Sequence, residues 1–154
     1  MINYKIATNN DIDLLMQSRL EMLKVVNDLK PDHQFNSDFI DNSRTYFENA
    51  NQTTVLAFMD ETVIGCATMC YIHMMPTFSH PTGKRAHLMN VYTNSMYRRQ
   101  GIAYQMVNML IEEAKEKGVT EISLDATKSG RPLYLKCGFI DSGECMVLNL
   151  GQSS

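Results

Sequence analysis

The residues with most to offer chemically are Arg98-Arg99-Gln100-Gly101-Ile102-Ala103, where a glycine stands between a β-favouring run and an apolar-periodic one. A strand, a Gly-containing turn and a helix, in that order, leave several backbone N–H groups without helical partners at the positive end of a helix dipole. That arrangement suits an anion such as phosphate. Read alone, Gly101 also serves as the plain turn that opens a helix, and the residues leave both readings standing. Other chemistries are easier to set aside. A nucleoside-triphosphatase loop needs G-x-x-x-x-G-K-[ST], and Gly101 is followed by Ile102-Ala103-Tyr104 with no such lysine. Cys66, Cys70 and His73 lack the paired spacing of a metal site, and no cysteine lies in a protease-like signature.

The elements that must position this segment follow from periodicity. Ile2–Ile6 reads as a strand, and Thr8 with Asp11 three residues on opens a helix in which Ile12, Leu15, Met16, Leu23 and Val26 share one face. A second helix is predicted over about residues 37–50, with Phe39, Ile40, Tyr46 and Phe47 on its apolar side. Residues 54–59 and 62–69 form a hairpin around Asp60-Glu61. The stretch from His73 to Arg85, with Pro76, Pro81 and Gly83, reads as a long loop that is either functional or a mere connector. Residues 86–93 give the next strand, and the helix opened by Gly101 carries Ala103, Val107, Leu110 and Ala114 on one side before Gly118 ends it.

A strand over residues 121–125, a short helix begun by Pro132, and two last strands at Phe139-Ile140 and residues 145–150 complete the chain. The order is β-α-α-β-β-β-α-β-α-β-β. It predicts an α+β (α/β) fold with a mixed, mainly antiparallel sheet flanked by helices. Its central parallel pair is residues 86–93 and 121–125, joined by the Gly101 helix.

Composition sets the frame. The 154 residues (1–154) contain no repeat or Gly/Ser linker and are expected to form a single domain. Hydrophobic residues make up 44% and charged residues 20%, the balance of a globular chain. A net charge of −3 argues against a broad nucleic-acid surface. With no basic-then-apolar leader and no run of about 18 apolar residues, a cytoplasmic protein without membrane contact is expected. The four cysteines sit in apolar stretches that suit free thiols. Composition leaves a homodimer open.

The segment Arg98-Arg99-Gln100-Gly101-Ile102-Ala103 matches the Q/R-x-x-G-x-G/A signature of the GNAT N-acetyltransferase family. Asn90-Val91-Tyr92-Thr93 precedes it, and Leu133-Tyr134-Leu135-Lys136-Cys137-Gly138-Phe139 is similar to the family's L-Y-x-K-x-G-F element. The resemblance is close over residues 88–139 and extends to the whole chain in element order. It implies an acyltransferase that uses acetyl-coenzyme A (CoA) and passes its acetyl group to a primary amine by direct attack in a ternary complex.

On the same resemblance, the amides of Arg99, Gln100, Gly101, Ile102 and Ala103, with Tyr104 behind them, cradle the coenzyme pyrophosphate. Arg98 closes the loop on its own backbone, Thr93 holds pantetheine through its backbone, and the Val91 N–H polarises the thioester carbonyl. Tyr134 corresponds to the tyrosine that protonates the departing thiolate, a task a phenol of pKa near 10 suits. His87, four residues before Val91, stands where some members carry a catalytic glutamate; either it or a water relay takes the amine proton. Thr127 replaces an asparagine often found seven residues before the tyrosine, which puts a side-chain contact to the cofactor there in question. Non-catalytic acyl-CoA binding and peptide acetylation stay open as alternatives. The acceptor is expected to be a small-molecule amine, with Asp28, Asp32, Asp38 and Asp41 offering a preference for a cationic one.

Overall fold

Between residues 52 and 73 two β-favouring runs face each other around Asp60, which adopts the left-handed φ of 53° that an aspartate tolerates at a tight turn. They form β2 (Gln52–Met59) and β3 (Thr62–His73) in the computed structural model, which describes residues 1–151. β1 (Ile2–Ile6) pairs antiparallel with β2, β4 (Lys84–Thr93) antiparallel with β3, and β5 (Glu121–Leu124) parallel with β4. The sheet runs β1-β2-β3-β4-β5, so the parallel pair expected from the sequence is present but stands at the edge of the sheet, with β5 outermost, and not at its centre. The last three residues of the expected domain, 152–154, lie outside the described residues.

Among the described residues four α-helices accompany the sheet: α1 (Ile12–Val26), α2 (Ser37–Asn49), α3 (Ile102–Glu116) and α4 (Arg131–Lys136). Alternation along the strands sorts their side chains between two cores. Val55, Ala57, Ala67, Met69, Ala86 and Leu88 pack with Ile102, Met106, Val107 and Leu110 of α3. Leu56, Cys66 and Tyr92 point the other way, to Leu15, Met16 and Met22 of α1 and Phe47 of α2. A strand buried on both faces is what the uninterrupted run Thr53 to Ala57 requires.

One expectation stands and another needs correction. The stretch between His73 and Arg85 is the expected loop, residues 74–83 joining β3 to β4 without strand or helix, and the Met74 N–H donates to the Gly83 carbonyl at 2.8 Å where the loop closes. Gly83 has φ 71°, and a Cβ there would fall 2.0 Å from the Met74 carbonyl oxygen, so only glycine closes this turn. His80 then ties the loop to Thr120, with its Nδ1 2.8 Å from the threonine Oγ1. The two final strands, Phe139-Ile140 and residues 145–150, are absent. Over residues 140–151 the chain forms neither strand nor helix, with Met146, Val147, Leu148 and Leu150 each more than 80% exposed. β-propensity forms a strand only where an edge accepts it, and this stretch pairs with none.

Candidate active site

β4 and β5 stay paired only from Arg85↔Glu121 to Leu88↔Leu124, while β4 continues to Thr93. The strands therefore part company half-way along β4. On its other side β4 carries a bulge: Cys66↔Tyr92 and Thr68↔Met89 are partners, so Asn90 and Val91 together oppose Ala67 alone. Asn90 takes up the extra residue at φ 59°. In consequence Met89 and Asn90, though consecutive, both face α1 and α2, and Val91 returns to the α3 side.

Beyond β4, Asn94 caps a short turn by accepting from Met96 N–H at 3.0 Å, and the chain enters the loop before α3. Arg99 (φ 65°) and Gly101 (φ 76°) are both left-handed and flank Gln100 in the loop before α3. No side chain caps α3 and its first turn holds no acidic residue, in contrast to α2, where Asn36 caps and Asp38 follows. Nothing lies within 4 Å of where a Gly101 Cβ would be. Helix geometry leaves the amides of Ile102, Ala103 and Tyr104 without intrahelical partners at the positive end of α3, and no side chain caps them.

The sequence-predicted residues gather around this loop. Arg98 Nε donates to the Thr93 carbonyl at 3.1 Å. The Thr93 hydroxyl is buried and has no hydrogen-bond partner among the described residues. Tyr104 carries Lys136 Nζ 4.3 Å above its ring, which joins α4 to the first turn of α3. Tyr134, on α4, packs edge-on against Phe139 with centroids 6.0 Å apart, and its hydroxyl makes no hydrogen bond among the described residues. Burial and the nearby Cys137 push its phenol upward. Thr127 is spent locally, its hydroxyl accepting from the Gly130 N–H at 3.1 Å at the start of α4.

His87 stands apart from the loop, on the opposite face of β4. One ring nitrogen, Nδ1, meets Ser123 Oγ at 2.7 Å, and Nε2 lies 3.6 Å from Asp125. It borders a cavity of about 460 Å³ between α1, α2, β3 and β4, whose walls include Arg19, Phe39, Tyr46, Cys70, Met89 and Asn90. Asp28, Asp32, Asp38 and Asp41 are exposed and none lines it, so the structure offers no acidic wall for a cationic acceptor. Arg19 was not singled out in the sequence, where an arginine on an amphipathic helix reads as a solvated side chain.

Burial disfavours the thiolate form of the cysteines near this region. Burial pushes Cys66 up to about 12 and raises Cys70 and Cys137, so all three stay protonated.

Residues 20–139 match the model of the acetyltransferase (GNAT) family. The chain belongs to that family, whose members are acyltransferases. A predicted acetyltransferase from Clostridium acetobutylicum, solved with acetyl-CoA, is 33% identical and superimposes with a TM-score of 0.85 over 97% of both chains. Among curated proteins, a probable glucosamine 6-phosphate N-acetyltransferase of Oryza sativa is 36% identical over 66 residues, 43% of this chain and 40% of the relative. N-acetyltransferase 8 of Homo sapiens is 28% identical over 111 residues, 70% of this chain and 47% of the relative. The matches thus span less than half the length of those curated relatives. No helix among the described residues is long and apolar enough to cross a membrane.

Proposed function

We propose that this protein binds acetyl-CoA at the α3 N-terminus and acetylates a primary amine of a small molecule by direct attack within a ternary complex. The observation that carries the reading is the uncapped first turn of α3, opened by left-handed Arg99 and Gly101 where β4 has left β5. When bound, acetyl-CoA supplies an acetyl group activated as a thioester.

The amides of Arg99, Gln100, Gly101, Ile102 and Ala103, with Tyr104, would hold its pyrophosphate, and Arg98 braces that loop against Thr93. The unpaired half of β4 would take the pantetheine arm through the backbone of Thr93, whose orphaned buried hydroxyl fits a polar neighbour. The bulge sets the Val91 N–H off the ladder's register, where it serves as a donor to the reacting carbonyl. Tyr134 Oη holds a proton for the departing sulfur. His87, braced by Ser123 and Asp125 at the cavity, receives the amine proton directly or through water. Protonated Cys66, Cys70 and Cys137 support transfer without an acyl-enzyme. The relative named for glucosamine 6-phosphate supports a small-molecule acceptor.

The test is calorimetry with acetyl-CoA on the wild type and on Gly101→Asp, followed by thiol release with panels of small amines and peptides. Aspartate tolerates the left-handed backbone, so the variant should fold while its carboxylate repels phosphate. Unchanged affinity in folded Gly101→Asp refutes the binding site. Bound acetyl-CoA with no thiol release from any amine refutes catalysis, and release from peptides alone refutes the small-molecule acceptor.

A further inference from the structure

The cavity between α1, α2, β3 and β4 is lined mostly by apolar and uncharged side chains. None of its lining residues is a carboxylate, and Arg19 is its permanent cation, with His87 the other group able to carry positive charge. Arg19 is partly buried and forms no ion pair among the described residues. Glu21, on the same helix, lies outside the lining. A guanidinium so placed has lost water without gaining a counter-charge, an unfavourable arrangement unless a ligand supplies one.

The side chain is also held in position. Arg19 Nη1 donates to Asn90 Oδ1 at 3.2 Å, Asn90 Nδ2 donates to Thr68 Oγ1 at 3.1 Å, and Thr68 shares a hydrogen bond of 2.7 Å with Thr54. Thr54 and Thr68 are 1% and 3% exposed, so this chain of bonds is rooted in the core. Asn90 reaches the cavity only because the β4 bulge turns it there at φ 59°. One of the guanidinium's five N–H donors is used, and the rest of the fork remains for a planar or tetrahedral oxyanion.

We propose that the acceptor amine carries an oxyanion, a carboxylate or a phosphate, and that Arg19, aimed by Asn90, binds it. This rests on the acetyl-transfer reading for the identity of the cavity as the acceptor site. It replaces the cationic preference expected from the aspartates, none of which lines the cavity.

The experiment uses amine pairs that differ only in the anion: an amino sugar with and without its phosphate, and an amino acid against its amide. Each is titrated calorimetrically and assayed by thiol release on the wild type, Arg19→Met and Arg19→Lys, with melting curves to confirm folding. The wild type should bind the anionic member about 10- to 100-fold more tightly, the range for hydrogen bonds to a charged group. Arg19→Met should erase that preference, and Arg19→Lys should keep part of it, having the charge without the fork. The pair that shows the preference tells phosphate from carboxylate.

Equal wild-type affinity for both members of each pair overturns the proposal whether or not any variant folds. So does a preference that survives Arg19→Met, or a loss of acetyl-CoA affinity in that variant as large as the loss for the anionic amine. An Arg19-dependent preference without thiol release keeps Arg19 as an oxyanion site and sinks acetyl transfer, and with it the acceptor role of the cavity. Thiol release without the preference does the reverse.

Discussion

Arg98 reaches back five residues to the carbonyl of Thr93, with its Nε 3.1 Å from that oxygen, and so links the end of β4 to the loop that opens α3. The bond fixes the distance between two segments that the proposed cofactor must touch together. Arg98 is exposed, so the link adds little to global stability and acts mainly on loop geometry. Arg98→Gln should therefore weaken acetyl-CoA binding by roughly 5- to 10-fold, within the range of a charge-assisted bond discounted for solvent. The melting temperature should hardly move. Calorimetry beside a thermal melt checks both, and an unchanged affinity removes Arg98 from the site.

Tyr134 lies against Gly130, whose hypothetical Cβ would be 3.2 Å from the tyrosine ring, and against Phe139. Phenylalanine keeps that packing and removes only a hydroxyl that bonds to nothing among the described residues. Tyr134→Phe should leave stability within about 0.5 kcal/mol. It should lower kcat by about 10²-fold without changing acetyl-CoA affinity, as expected of a lost proton donor. Because burial raises the phenol above its usual value of about 10, Oη stays protonated through neutral and mildly alkaline pH. Wild-type activity should show no alkaline loss from this group below about pH 10. Full kcat in the variant would leave Tyr134 a packing residue.

The loop before α3 was legible in the sequence because its signals are local: a glycine, a helix with one apolar face, and a strand of alternating pattern before it. The parallel pair followed from the same order of elements. The bulge at Asn90 was not legible, since residues 86–93 alternate as a plain strand would and only asparagine's tolerance of positive φ hints otherwise. Arg19 escaped notice for a related reason. Its meaning depends on Asn90 and Thr68, which are distant in sequence and meet only through the bulge. The last strands failed in the opposite direction: Cys145 to Leu150 has strand-like residues, but strand formation needs a partner that no local pattern reports.

Glu113 anchors the other half of α3, accepting from Thr53 Oγ1 and Tyr71 Oη at 2.6 Å each and pairing with Lys117 Nζ at 3.2 Å. Burial alone would raise its carboxyl, and the three partners outweigh that and hold it below the usual range. A depressed folded pKa contributes stability that is present above the unfolded value of about 4.3 and lost as pH falls through the folded one. Glu113→Gln should cost about 1–3 kcal/mol near neutral pH, or roughly 2–10 °C in melting temperature for a chain of this size. The gap between variant and wild type should close below about pH 4. Melts taken across that range are the check, and a gap that stays constant would show that the charge is not what stabilises the cluster.

Gly65 ties stability to the proposed site. It pairs with Thr93 across the β3–β4 ladder, and the adjoining Ile64 carbonyl accepts from Asn94 N–H at 2.7 Å. A Cβ on Gly65 would sit 2.9 Å from the Tyr92 carbonyl oxygen and 3.2 Å from Met106 Cε. The methionine end can swing aside, whereas the carbonyl belongs to the strand and moves only if β4 moves. Gly65→Ala should therefore cost about 1–3 kcal/mol, the range for an overpacked core position. It should also displace Tyr92 and Thr93 enough to weaken acetyl-CoA binding. Gly143, whose Cβ would meet nothing within 4 Å, supplies the comparison, and Gly143→Ala should stay within about 0.5 kcal/mol of the wild type. If Gly65→Ala melts lower but binds acetyl-CoA with unchanged affinity, the end of β4 does not form part of the cofactor site.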